Sequence, residues 1–142
     1  MDKTAVVFGA TGLVGKELIS ELLKSYAYDR TIAVVRRSLP FMDQKLELVQ
    51  LTDFSQLPQW GENLKGDTYF CCIGTTIKNA GSKESFRQVD FDIPLQIAQL
   101  AEKNAVSNLV VISSIGARPD TSNFYLRTKG EMENAIRTAY SG

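Results

Sequence analysis

A chain of 142 residues sets the scale of one domain, and its 16 Lys and Arg balance its 16 Asp and Glu. That balance argues against a general nucleic-acid or membrane-surface role, and no apolar run approaches the length of a membrane span. The absence of histidine excludes histidine triads, histidine metal sites and histidine general bases. With no signal-peptide h-region at its start, the chain is expected in the cytoplasm.

Thr4–Phe8 reads as a first buried strand, followed at once by Gly9-Ala-Thr-Gly12-Leu-Val-Gly15. Leu13–Lys24 then reads as an amphipathic helix, with Leu13, Val14, Leu18, Ile19, Leu22 and Leu23 as its apolar positions. A strand, a glycine turn and a helix in succession can hold a dinucleotide. Gly9 permits the sharp turn, Gly12 leaves room for a pyrophosphate, and Gly15 lets the helix pack closely. The first helical N–H groups and the positive end of the dipole then face the phosphates. The spacing is GxxGxxG, and a purely structural turn is the alternative. A Walker A loop fits less well, because Glu17 follows Lys16 where a magnesium-binding Ser or Thr belongs.

Thr31–Val35 is the second strand, and it ends in Arg36-Arg37-Ser38. An acid at this place would bind the ribose 2′-hydroxyl of NAD, whereas arginine suits the 2′-phosphate of NADP. The pattern therefore favours NADP over NAD, with two solvated arginines as the plainer alternative. Leu46–Leu51 is the third strand, followed by a short turn or helix near Asp53–Leu57. Asp53 could accept from an adenine amino group or cap that helix. Thr68–Ile73 is the fourth strand. Its Cys71 and Cys72 alternate in direction, so no disulfide joins them and they read as small buried hydrophobes. Gly74–Gly81 reads as a loop in which Gly74, Thr75 and Thr76 could touch a cofactor. Ser82–Asn104 reads as a long helical region, kinked or restarted at Pro94. Leu109–Ser113 is the fifth strand and Gly116–Ser122 a loop. Asn123 could cap a last helix running to about Ala139, polar at Glu131, Glu133 and Arg137, apolar at Met132, Ala135 and Ile136.

Alternating strands and helices, with near-continuous apolar strands, predict an α/β fold. The expected form is a doubly wound parallel sheet of about five strands, with the ligand beyond the carboxyl ends. Tyr125 and Lys129 lie four residues apart, so phenol and ammonium share a helical face. A nearby cation lowers a phenol's pKa and fits it to exchange a proton with a carbonyl or alcohol. Ser113 and Ser114, at the end of the fifth strand, could bind the same substrate oxygen. A surface Tyr and Lys on an amphipathic helix is the alternative.

The Gly9–Gly15 turn, Ser113-Ser114-Ile-Gly116-Ala117 and Tyr125-x-x-x-Lys129 together resemble the atypical short-chain dehydrogenase/reductase superfamily. Cys72-Ile-Gly-Thr-Thr76, Val89-Asp90, Ser122-Asn-Phe124 and Lys129-Gly-Glu131 are similar to its Tat-interacting-protein (CC3) branch. The resemblance spans nearly the whole chain and implies a Rossmann-like fold that binds NADPH. It implies phosphate binding by the Gly9–Val14 turn, including Thr11, Leu13 and Val14, and 2′-phosphate binding by Arg36 and Arg37. It gives Tyr125 the acid/base role, with Lys129 assisting and holding the ribose, and Ser114, or else Ser113, orienting a small carbonyl or alcohol substrate. Asp90 stands where many members carry a relay asparagine. The family normally continues with a sixth strand and a substrate-binding region, so both are expected to be lacking from these 142 residues. Leu109-Val-Val-Ile112 would then be an open edge, and a homodimer or other self-association is expected. The implied function is carbonyl/alcohol hydride transfer. A non-catalytic NADPH-binding regulatory or redox-sensing module is the second expectation, and a cofactor-recycling epimerase or isomerase the third.

Overall fold

Five parallel strands form one sheet in a computed structural model that describes residues 3–37 and 42–142. They are β1 (Thr4–Phe8), β2 (Arg30–Val35), β3 (Leu46–Gln50), β4 (Thr68–Cys71) and β5 (Asn108–Val111), in the order β3-β2-β1-β4-β5. The order reverses beside β1, so the crevice at the carboxyl end of β1 is where such a fold can admit a ligand. The helices are α1 (Leu13–Lys24), α2 (Ile77–Ala80), α3 (Lys83–Arg87), α4 (Ile93–Lys103) and α5 (Phe124–Ala139). The expected doubly wound Rossmann-like architecture is observed.

Side-chain alternation divides the core in two. Val6 and Phe8 of β1, Ile32 and Val34 of β2 and Tyr69 of β4 face Ile97 and Leu100 of α4. Ala5, Val7, Ala33 and Val35 face Ile19 and Leu22 of α1. Residues 5–8 are completely buried, each large apolar side chain among them contributing about 1.5–3 kcal/mol. Ala98 of α4 with Met132 and Ile136 of α5 forms a third cluster, which fixes α5 against the sheet.

Several expectations are corrected. The near-continuous burial holds for β1 and β2 and most of β4, but Glu47, Leu48 and Gln50 of β3 and Val110 of β5 are exposed, because both strands are edges. Leu13 and Val14 lie outside the apolar face of α1, at 85% and 49% exposure, since they precede the turn that reaches the sheet. The predicted loop at 74–81 contains α2, capped by Thr76 and closed by Gly81. The short turn after Asp53 extends as a 3-10 segment, Phe54–Leu64. The long helical region is continuous over 83–103 with an unexpected π turn, Gln88–Asp92, and the expected restart is found after it, Pro94 lying in the first turn of α4. There the Ile93 N–H donates to Gln88 O, five residues back. Proline supplies no N–H of its own, and the wider turn relieves its ring without breaking the helix.

Candidate functional site

A cleft of about 550 Å³ opens at the carboxyl ends of β1, β2 and β4. Of the residues expected to bind a cofactor, Gly9, Thr11, Gly12, Arg36, Asp53 and Gly74 line it. Its opposite wall is Gln88, Val89, Asp92, Ile93 and Gln96, from the π turn and α4. Leu51, Thr52 and Phe54 also line the cleft.

Each glycine of the turn answers a different demand. Gly9 has φ +81°, and a Cβ there would lie 2.6 Å from Cys72 O, so both backbone and packing require glycine. At Gly15 a Cβ would strike the Gly9 carbonyl, so this glycine spares the turn itself rather than the sheet. Gly12 is different. Its φ of −74° suits any residue, and a Cβ would meet Gly9 O at an ordinary 3.5 Å. Nothing within the described protein demands glycine there, yet the position opens on the cleft. The helix behind it is also unusual. Asp53, Thr76, Ser82 and Asn123 cap the helical segments that follow them with their side chains, whereas α1 has no side-chain cap. Its first N–H groups are left as donors for an anion. These are the features a dinucleotide's diphosphate would need, so the residues fit the cofactor.

The remaining expected contacts are distributed unevenly. Arg36 and Arg37 are exposed, and neither guanidinium forms an ion pair among the described residues. Arg36 lines the cleft and Arg37 does not, while Ser38 lies outside the described residues. Asp53 Oδ1 accepts the Ser55 N–H at 2.9 Å, so the capping role is realised at a residue that also lines the cleft. The Thr76 hydroxyl accepts the Asn79 N–H at 3.1 Å. Thr75 turns its N–H inward, to Asp90 Oδ2 at 3.0 Å.

Tyr125, Lys129 and Ser114 are outside the cleft lining, and Lys129 Nζ would lie 3.7 Å from a Cβ at Gly74, which does line it. The Tyr125 ring packs 5.3 Å from the buried Phe86 ring, and Lys129 Nζ lies 5.9 Å from the Tyr125 centroid. Lys129 is buried and forms an ion pair with the fully buried Asp90. Ser113 donates to Glu133 at 2.6 Å and is thereby turned to α5, which leaves Ser114 as the serine without a side-chain partner among the described residues. Cys71 and Cys72 are free thiols, and burial pushes both upward, Cys71 to about 12.

Sequence reasoning missed Phe86, the α4 wall and Gly130. A Cβ at Gly130 would collide with the Arg118 backbone, so this glycine seats α5 on the loop before it. A glycine in a helix interior, costly without a packing reason, was the available signal.

The NAD dependent epimerase/dehydratase family matches residues 5–141. The chain belongs to this family. Protein FMP52, mitochondrial, of Debaryomyces hansenii is 36% identical over 135 residues, covering 94% of this chain and 59% of that protein. Protein HTATIP2 of Rattus norvegicus is 34% identical over 138 residues, covering 95% and 57%. This relative bears out the resemblance to the Tat-interacting branch. The chain thus spans less than two thirds of these relatives' length. Bordetella bronchiseptica WbmG, solved in complex with NAD and UDP, superposes with a TM-score of 0.76 at 14% identity, over 98% of this chain and 50% of that one. At that identity the likeness establishes the family's Rossmann-like fold. No helix among the described residues is long and apolar enough to cross a membrane.

Proposed function

We propose that this member of the family binds NADP(H) across the carboxyl edge of its sheet, and serves hydride transfer on a small carbonyl or alcohol. Gly12 carries the reading: a glycine that the fold does not require, facing the cleft, ahead of a helix with no side-chain cap. The Gly9–Val14 turn would hold the diphosphate on backbone N–H groups. Arg36, with Arg37 beside it, would meet a 2′-phosphate, and Asp53 and Phe54 would bound the base. Gly74, Thr75 and Thr76 would lie along the nicotinamide half. The bound cofactor supplies the hydride. Tyr125 would give or take a proton at its hydroxyl, Ser114 would orient the substrate oxygen, and Lys129 would supply the ammonium beside both.

Separate calorimetric titrations with NADPH and NADH test this. Both should bind, NADPH more tightly, and binding of neither refutes the reading. Tyr125→Phe should bind NADPH normally and lose carbonyl reduction, and undiminished reduction would remove Tyr125 from the chemistry. The engagement of Ser113 by Glu133 and of Lys129 by Asp90 favours a second reading, a regulatory module that binds the nucleotide without turnover. Tight binding with no net oxidation across a carbonyl panel selects that reading. Conversion of a substrate with no net change in cofactor absorbance selects a cofactor-recycling epimerase. In a polypeptide of these 142 residues, the β5 edge would support self-association as a homodimer.

A further inference from the structure

Burial within the π turn is inverted. Val89 and Phe91 are half-exposed, and Asp90 between them is completely buried. The wide turn rotates one residue into the protein, and that residue is an acid. Its oxygens are divided between two partners. Oδ2 accepts the Thr75 N–H at 3.0 Å, and Oδ1 faces Lys129 Nζ. The second contact is an ion pair rather than an aligned hydrogen bond, since Oδ1 has no hydrogen-bond partner among the described residues. Gly74, in the cleft wall, sits against both charges: a Cβ there would lie 3.5 Å from Oδ1 and 3.7 Å from Nζ.

The groups around Lys129 leave Asp90 as its counter-charge. Cys71 of β4 is close enough to feel both charges, and burial keeps its thiol neutral. On α5, Tyr125 lies one turn before Lys129, and Glu133 one turn after is bound by Ser113. A buried ion pair is a weak way to stabilise a fold, because a matched apolar pair often serves as well. Its place directly behind the cleft wall offers another use.

We propose that Asp90 is a positioning residue, which keeps Lys129 charged and fixed behind Gly74 so that its ammonium serves the bound nucleotide and Tyr125. The last clause rests on the nucleotide reading of the cleft, and the first on the geometry alone. An asparagine could accept the Thr75 N–H equally well. Only the carboxylate supplies the opposite charge.

The Lys129 side-chain signal of the whole chain, labelled at lysine and assigned by its loss in Lys129→Met, is followed against pH by NMR without cofactor. Wild type supplies the reference midpoint. In Asp90→Asn its midpoint should fall by at least about one pH unit, because an unpaired buried ammonium favours its neutral form. An unmoved midpoint in a folded Asp90→Asn protein overturns the proposal. If Asp90→Asn does not fold, the double variant Asp90→Asn/Lys129→Met decides: recovered folding supports the pair, and continued failure overturns it. NADPH titration supplies the second arm. Each single variant should weaken binding about tenfold and the double variant no further, whereas additive losses would overturn the positioning role. A wild-type chain that binds no NADPH refutes the nucleotide reading, and the Lys129 midpoint then decides on the ion pair by itself.

Discussion

Gly12→Asp separates what the glycine turn does for the fold from what it does for a ligand. Gly12 is the N-cap of α1, with φ −74° and ψ 171°, extended backbone that aspartate adopts freely. The added Cβ meets only Gly9 O, at 3.5 Å. Its carboxylate can accept an N–H of the first helical turn, where no side chain does so now. Aspartate is a better cap than glycine by a few tenths of a kcal/mol. An anion at the positive end of the helix adds about 0.3–1 kcal/mol. Restricting the unfolded chain adds about 0.4–1 kcal/mol. Together these give about 1.5 kcal/mol. At about 2.1 cal/mol/K per residue over 142 residues, Tm should rise by about 5 °C. The same carboxylate takes the anion's place and repels a diphosphate. NADPH affinity should fall at least about a hundredfold, equivalent to about 2.7 kcal/mol. Thermal melting and calorimetric titration measure the two effects. Gly9→Ala is the contrast: φ +81° costs about 1–2 kcal/mol before its clash with Cys72 O, so that variant should melt several degrees lower. The reasoning fails if Gly12→Asp melts below wild type, or if it binds NADPH undiminished.

Arg36→Ala should weaken NADPH about tenfold and leave NADH unchanged, with a smaller effect from Arg37→Ala, which is outside the cleft lining. Equal losses for the two coenzymes would separate Arg36 from the 2′-phosphate. Burial pushes the Tyr69 phenol and the Cys71 thiol each up to about 12. Unfolded, the thiol and phenol lose their protons lower, so the unfolded chain binds fewer protons between about pH 9 and pH 12. Stability is therefore full below that window and falls as pH rises through it. Melting temperature should decline over this range, and Cys71→Ala should flatten the decline; an unchanged slope would contradict the linkage. In a polypeptide of these 142 residues, Val110 of β5 and the adjoining Ile112 are exposed at the edge of the sheet. Light scattering at tens of micromolar should give a dimer or larger species, and Val110→Lys should give a monomer. A monodisperse wild-type monomer would refute self-association through this edge.

Much of this site was legible in the residues because its signals are local. The strand-turn-helix run of Thr4–Lys24 is written in neighbouring residues: the positive φ of Gly9 and the contact that excludes a Cβ at Gly15 both lie within the turn, and only the clash of a Gly9 Cβ with Cys72 O is tertiary. Asn123 was recognisable as a cap because its bond to the Leu126 N–H, at 3.0 Å, is formed within four residues. The α4 wall of the cleft was not legible. Gln88 and Gln96 carry no motif, and they face the glycine turn only because the crossover after β4 brings their helix over the sheet.

The sequence by itself determined the order of elements, the parallel sheet, the glycine turn and the shared face of Tyr125 and Lys129, because period and spacing are properties of neighbouring residues. Tertiary structure decided which partners those groups meet. A π turn aimed Asp90 inward to Lys129, α5 drew Ser113 to Glu133, and only Arg36 of the arginine pair came to line the cleft. Such pairings depend on how far each helix is rotated and how closely it packs, and residues distant along the chain fix those quantities together.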